Sequence, residues 1–121
     1  MNIIIRKWGH SLGIRIPSML AKEYNFKAVY YWQPTIFNKP KLSDFEKQED
    51  EKFSFIKDIV LAANVQAGNI KADQDFSVFY DISDIFRNER TPVFIDYCHV
   101  SEYGNSVIAD KMVEDLVNEI K

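Results

Sequence analysis

The stretch Val93-Phe94-Ile95-Asp96-Tyr97-Cys98-His99-Val100-Ser101-Glu102-Tyr103-Gly104-Asn105 decides how the rest of this chain is read. It runs from a short apolar extended piece, Val93-Phe94-Ile95, through a polar loop, and residues 101–105 lead into a helix. Beyond them Val107, Ile108, Met112, Val113, Leu116, Val117 and Ile120 recur at helical spacing on one side. Strand end, loop and helix in that order belong to α/β architecture. Within the loop Asp96 and His99 stand three residues apart. A histidine acting as general base needs its other ring nitrogen held by an acceptor. A carboxylate one tight turn away does this and stabilises the imidazolium. The same spacing also suits a surface or capping histidine, so loop position and pairing nominate a site without choosing between the two readings.

Upstream, residues 87–92 read as a polar loop and 81–86, Asp-Ile-Ser-Asp-Ile-Phe, as a tight turn with apolar anchors. Residues 76–80 form a strand candidate, and Ala28 to Trp32 is a buried strand stopped by Pro34. Residues 35–44 hold Pro40 and few periodic apolar positions, which predicts a loop. Ser43 followed three residues later by Glu46 is a helix-start signal. The helix is expected to run through Asn64, with Phe53, Ile56, Ile59, Val60 and Ala63 on one face and a break near Asp50. From residue 28 onward the order strand, helix, strand, helix indicates α/β.

The first 27 residues differ in pattern. Ile3-Ile4-Ile5 opens a strand and Gly9-His10-Ser11 reads as a turn. Leu12, Ile14 and Ile16 then alternate with Gly13 and Arg15, a period of two that suits a half-buried strand. Pro17 ends it and starts a short helix over residues 19–25. The segment therefore reads as hairpin then helix.

Composition bounds the function classes. With 121 residues, 46% apolar and 27% charged, the chain is long enough for one ordinary globular domain. A net charge of -3 argues against a general nucleic-acid binder. The basic residues nevertheless gather in front: Arg6, Lys7, Arg15, Lys22 and Lys27 against Glu23 alone over residues 1–27. Cys98 is the single cysteine, so no internal disulfide forms, which fits a cytoplasmic setting. No apolar run approaches the roughly 20 residues of a membrane span, and the N-terminus lacks the pattern of a secretory signal. No cofactor is expected. No metal site is expected either: His10 and His99 are far apart, and Cys98 beside His99 lacks spaced partner ligands and reads as a packed thiol.

The segment FIDYCHVSEYGNSVIADKMVEDL resembles the last block of the SGNH (GDSL-type) ester hydrolases: Asp-x-x-His, a Gly-Asn, then an amphipathic helix opening Ile-Ala. YYWQPTIFNKPKLSDFE resembles the segment after that family's fourth strand, and FYDISDIF its fifth strand and following turn. The three patches keep the family's order over residues 28–121. The resemblance implies a partial flavodoxin-like sandwich with a parallel sheet, a small ester or acylated-sugar substrate, Asp96 as the orienting acid and His99 as general base then acid. It places Gln33 at the cleft edge and gives Gly104 and Asn105 the turn into the last helix. The family's Gly-Asp-Ser nucleophile block and its two middle oxyanion blocks have no match here. A truncated, weakly active or inactive hydrolase is the expectation. Gly9-His10-Ser11-Leu12 is one change from Gly-Asp-Ser-Leu, which makes Ser11 the candidate nucleophile, although it precedes an alternating strand rather than a helix.

Residues 3–26, IIIRKWGHSLGIRIPSMLAKEYNF, resemble a different family, the AbrB/MazE swapped-hairpin DNA-binding proteins. Arg6, Lys7, Trp8, Gly9, Ser11, Leu12, Arg15, Ile16, Pro17, Leu20 and Ala21 match that pattern, and His10 replaces the usual Asn. This resemblance implies a homodimer through the hairpin, with Arg6, Lys7 and Arg15 contacting DNA. The family's second strand pair is not matched, because from residue 28 the hydrolase-like pattern takes over. The expected organisation is a hairpin–helix segment over residues 1–27 and a hydrolase-like segment over 28–121. Their junction is natural, a truncation or engineered.

Overall fold

The computed structural model describes residues 4–8, 11–15, 22–69 and 77–120, with backbone alone for 4–8, 11–15 and 77. It is mixed α/β. In chain order the elements are β1 (Ile4–Trp8), β2 (Ser11–Arg15), β3 (Ala28–Trp32), α1 (Asp44–Lys52), α2 (Lys57–Gly68), β4 (Ser77–Asp81) and α3 (Glu102–Ile120), with 3-10 turns at Ile36–Asn38 and Ser54–Ile56. The chain divides into two compact units, Met1–Tyr31 with Ile70–Tyr80, and Trp32–Asn69 with Asp81–Lys121.

In the first unit β1 and β2 pair antiparallel from Ile4↔Arg15 to Trp8↔Ser11. Of the expected turn at Gly9-His10-Ser11, Ser11 belongs to the ladder instead, and Gly9 and His10 lie outside the described residues. Of the expected helix over 19–25, Lys22 and Glu23 are helical, and residues 16–21 lie outside the described ones. It ends at Asn25, whose φ of 54° is left-handed, a conformation asparagine tolerates better than most residues. β3 forms over the residues the sequence predicts and pairs with β4 in a parallel two-stranded sheet. Tyr31 and Tyr80 stack with ring centroids 5.4 Å apart.

The second unit holds the site. Its core is Ile36, Phe86, Val93 and Phe94, with Leu42, Tyr97, Val100, Val107 and Ile108 packed around it. Phe86 meets Phe94 edge to face at 5.6 Å. Ile36 is fully buried although its segment lacks periodicity; a polar network fixes the 3-10 turn that carries it. Trp32 Nε1 donates to Asn64 Oδ1 (2.8 Å), and Asn64 Nδ2 (3.0 Å) and Thr35 Oγ1 (2.9 Å) donate to Asn38 Oδ1.

The capping box at Ser43 and Glu46 forms as the spacing predicts. The helical stretch breaks at Phe53 rather than near Asp50 and extends to Gly68 rather than Asn64. Ile59 faces solvent, 72% exposed, so it does not share the packed face expected of it. Asp81 Oδ1 accepts from Ser83 N, closing the expected tight turn over buried Ile82 and Phe86. In α3 the expected apolar face splits. Val107, Ile108 and Met112 are half-buried, whereas Val113, Leu116, Val117 and Ile120 are exposed. Asp115 is buried instead, with Lys111 Nζ at 2.6 Å. Among the described residues no helix is long and apolar enough to cross a membrane.

Candidate functional site

The loop that carries Asp96 and His99 is closed by its own backbone. Phe94 and Val100 form an antiparallel bridge, Ile95 N donates to His99 O (2.9 Å), and Ser101 N donates to Val93 O (2.7 Å). Three further ties hold the loop to the unit. Ile36 N donates to Tyr97 O (2.9 Å), the Tyr97 ring packs against Phe53 at 4.9 Å, and both Val93 N and Phe94 N donate to Glu46 Oε2 (3.2 and 3.3 Å). On the far side Ser101 Oγ accepts from Gly104 N, which starts α3. Gly104 and Asn105 lie inside that helix rather than in a turn before it. A Cβ at Gly104 would come within 2.9 Å of Val100 Cβ and 3.2 Å of Val93 O, so glycine there permits close approach of helix and loop.

Glu46 is the hub of this arrangement. Its side chain is fully buried, and besides the two loop amides it accepts from Lys39 Nζ (2.8 Å) and Ser43 N (3.0 Å). Burial favours its neutral form, but Lys39 and the amides of Ser43, Val93 and Phe94 together outweigh that and hold the carboxyl below its usual range.

Asp96 folds back over its own loop. Oδ1 accepts from Cys98 N (2.9 Å) and His99 N (2.6 Å), and Oδ2 lies 2.7 Å from His99 Nδ1. Burial opposes ionisation, but the amides of His99 and Cys98 and the neighbouring imidazole prevail and hold the carboxyl below its usual range. An ionised Asp96 has no proton to give, so the hydrogen of the 2.7 Å contact sits on Nδ1. In neutral His99 the lone pair is then on Nε2, on a side chain that is 60% exposed. This is the arrangement a general base requires. Cys98 is half-buried, with Sγ 3.6 Å from His99 Nδ1, and burial pushes its thiol up. The sequence shows no metal-ligand spacing here, yet the folded-back loop brings one donor atom from each of Asp96, Cys98 and His99 within 4.8 Å of one another. The compact Asp-x-Cys-His run was the available signal.

The other expected residues are not gathered here. Gln33 is exposed and makes no hydrogen bond to Asp96 or His99. Among the described residues the side-chain partners of His99 are Asp96 and Cys98, so no described serine hydroxyl hydrogen-bonds to it. Ser11 lies on β2 in the other unit, and its side chain, like those of Arg6, Lys7 and Arg15, lies outside the described residues. Glu46 and Lys39, which fasten the loop, were not expected to serve the site. No protein-family model matches this sequence, and comparison with curated proteins and with solved structures yields no match.

Proposed function

We propose that this chain is a homologue of the SGNH ester hydrolases, with a partial flavodoxin-like sandwich, in which Asp96 and His99 carry the acid–base half of ester hydrolysis. The observation that supports the reading is the 2.7 Å contact between Asp96 Oδ2 and His99 Nδ1 on an exposed loop. His99 Nε2 takes a proton from the attacking hydroxyl, and Asp96 stabilises the imidazolium that forms. The imidazolium then protonates the leaving alcohol. The attacking hydroxyl comes from a second chain. Without the family's oxyanion blocks, each missing donor costs roughly 3 to 4 kcal/mol of transition-state stabilisation, so turnover is slow. The substrate class is a small carboxyl ester or acetylated sugar. Multiple-turnover hydrolysis of p-nitrophenyl acetate, abolished in His99→Ala, is the expected result. Absence of turnover on every short-chain p-nitrophenyl ester overturns the reading.

The β1–β2 hairpin favours a second reading. Its register places Arg6 opposite Gly13, Lys7 opposite Leu12 and Arg15 opposite Ile4, so two adjacent strands carry all three basic residues. In an AbrB/MazE-like homodimer they neutralise DNA phosphates. Salt-dependent DNA binding that Arg15→Ala abolishes would support this reading, and a monomer by size-exclusion chromatography removes it.

A further inference from the structure

We propose that Asp96, Cys98 and His99 form a zinc-binding site, with three protein donors and a fourth position open to water or an incoming ligand. The three donor atoms lie within 4.8 Å of one another. Zinc bonds of about 2.0–2.1 Å to imidazole nitrogen and about 2.3 Å to thiolate, set at the tetrahedral angle, place nitrogen and sulfur about 3.5 Å apart. His99 Nδ1 and Cys98 Sγ are already 3.6 Å apart. Asp96 Oδ2, now 2.7 Å from Nδ1, has to retreat to about 3.4 Å to serve as the third corner, a small side-chain movement. The other oxygen, Oδ1, stays on the amides of Cys98 and His99, and such a second-shell hold aims a carboxylate ligand. The backbone closure from Ile95 N to His99 O keeps the donors together before metal arrives. His99 is 60% exposed and Asp96 31%, so a hydrated ion can reach them. Thiolate with imidazole and one carboxylate selects zinc over magnesium or calcium.

Binding releases one proton, from the Cys98 thiol; the hydrogen on His99 Nδ1 moves to Nε2, so the ring binds as a neutral imidazole, and N–Zn, S–Zn and O–Zn bonds replace three of the ion's bonds to water. Metal on Nδ1 removes the hydrogen bond that braces the imidazole on Asp96, so the zinc-loaded and general-base forms exclude each other. The site itself does not rest on the esterase reading, because the same donors bind metal whether or not an ester is turned over.

The test is titration of the full chain with cobalt(II), followed by zinc. The expected result is a thiolate-to-cobalt charge-transfer band in the near ultraviolet that zinc bleaches. Cys98→Ser should lose the band, and His99→Gln should bind zinc at least about tenfold more weakly. A wild-type protein without the band, or variants that both bind zinc as tightly as the wild type, overturns the proposal. The readout is metal occupancy, so failure here and failure of ester turnover are separate results.

Discussion

Two carboxylates hold the stretch from Val93 to His99, and they do so with the same kind of bond in different surroundings. Glu46 accepts from the amides of Val93 and Phe94 and pairs with Lys39; Asp96 accepts from the amides of Cys98 and His99 and pairs with the imidazole. Glu46 and Lys39 are fully buried, whereas His99 is mostly exposed and Asp96 about one-third. Burial makes the first cluster a fastening, because removing one partner strands a charge away from water. Exposure leaves the second open to the proposed chemistry, because its charge and lone pair are within reach of solvent and solutes. The contrast ties stability to Glu46 and leaves Asp96 as the carboxylate that the proposed chemistry would use.

The largest expected effect tests the fastening. Glu46→Ala leaves the buried Lys39 ammonium without its counter-ion, with only the Lys41 carbonyl as acceptor, and two loop amides without theirs, and should destabilise the chain by about 3–5 kcal/mol in urea unfolding. Asp96→Ala, by the same measurement, should cost only about 1 kcal/mol, as for a hydrogen bond near solvent. Equal losses would erase the distinction.

Next in size is Gly104→Ala. The added methyl meets Val100 Cβ at 2.9 Å, and the neighbours have to shift by an amount worth about 1–3 kcal/mol, read from the urea midpoint. If the loop absorbs the methyl at no cost, its attachment to α3 is looser than the packing implies.

Acid should expose the same asymmetry. Glu46 is held below its ordinary value of 4.5, so its contribution is full above that pH and is lost as pH falls through the lowered folded value. Asp96 acts in the same direction from its ordinary 3.8, with less weight because solvent screens it. Wild-type urea midpoints should therefore fall as the pH drops below about 5, and Glu46→Gln should flatten most of that slope.

The smallest effect on stability and the most telling for chemistry is Asp96→Asn. The amide still accepts at Oδ1, so folding changes little, but it no longer fixes the hydrogen on His99 Nδ1. Nitrogen-15 spectra of the ring should show mixed tautomers, and any ester turnover should drop with them. An unchanged tautomer would mean that Asp96 does not brace the imidazole.

Much of the local structure was legible. Ala28–Trp32 alternates too little for an exposed strand and is ended by proline; a strand forms over those residues, but it is half-buried, with Tyr30 exposed, rather than buried as expected. Ser43 and Glu46 announce a capping box within four residues, and it is present. The meeting of Asp96 and His99 was legible for the same reason, since one tight turn brings residues three apart together. What escaped involved distance along the chain. Glu46 reaches Val93 across 47 residues, a contact no periodicity encodes. Ile36 is buried within an aperiodic loop because Asn64, 26 residues from Asn38 and itself held by Trp32, fastens its turn. Ile59 fits a helical stripe by spacing and is exposed, because the helix breaks at Phe53 and the following segment starts anew.

By itself, then, the order of residues determined the elements that rest on neighbours: the hairpin ladder, the capped helix, the tight turns and the aspartate–imidazole pair. Only the tertiary structure decided that Glu46 and Lys39 clamp the loop and that half of the last helix's apolar face stays uncovered. The physical reason is that hydrogen bonds within a turn are set by local backbone geometry, whereas burial depends on which distant segments arrive to exclude water.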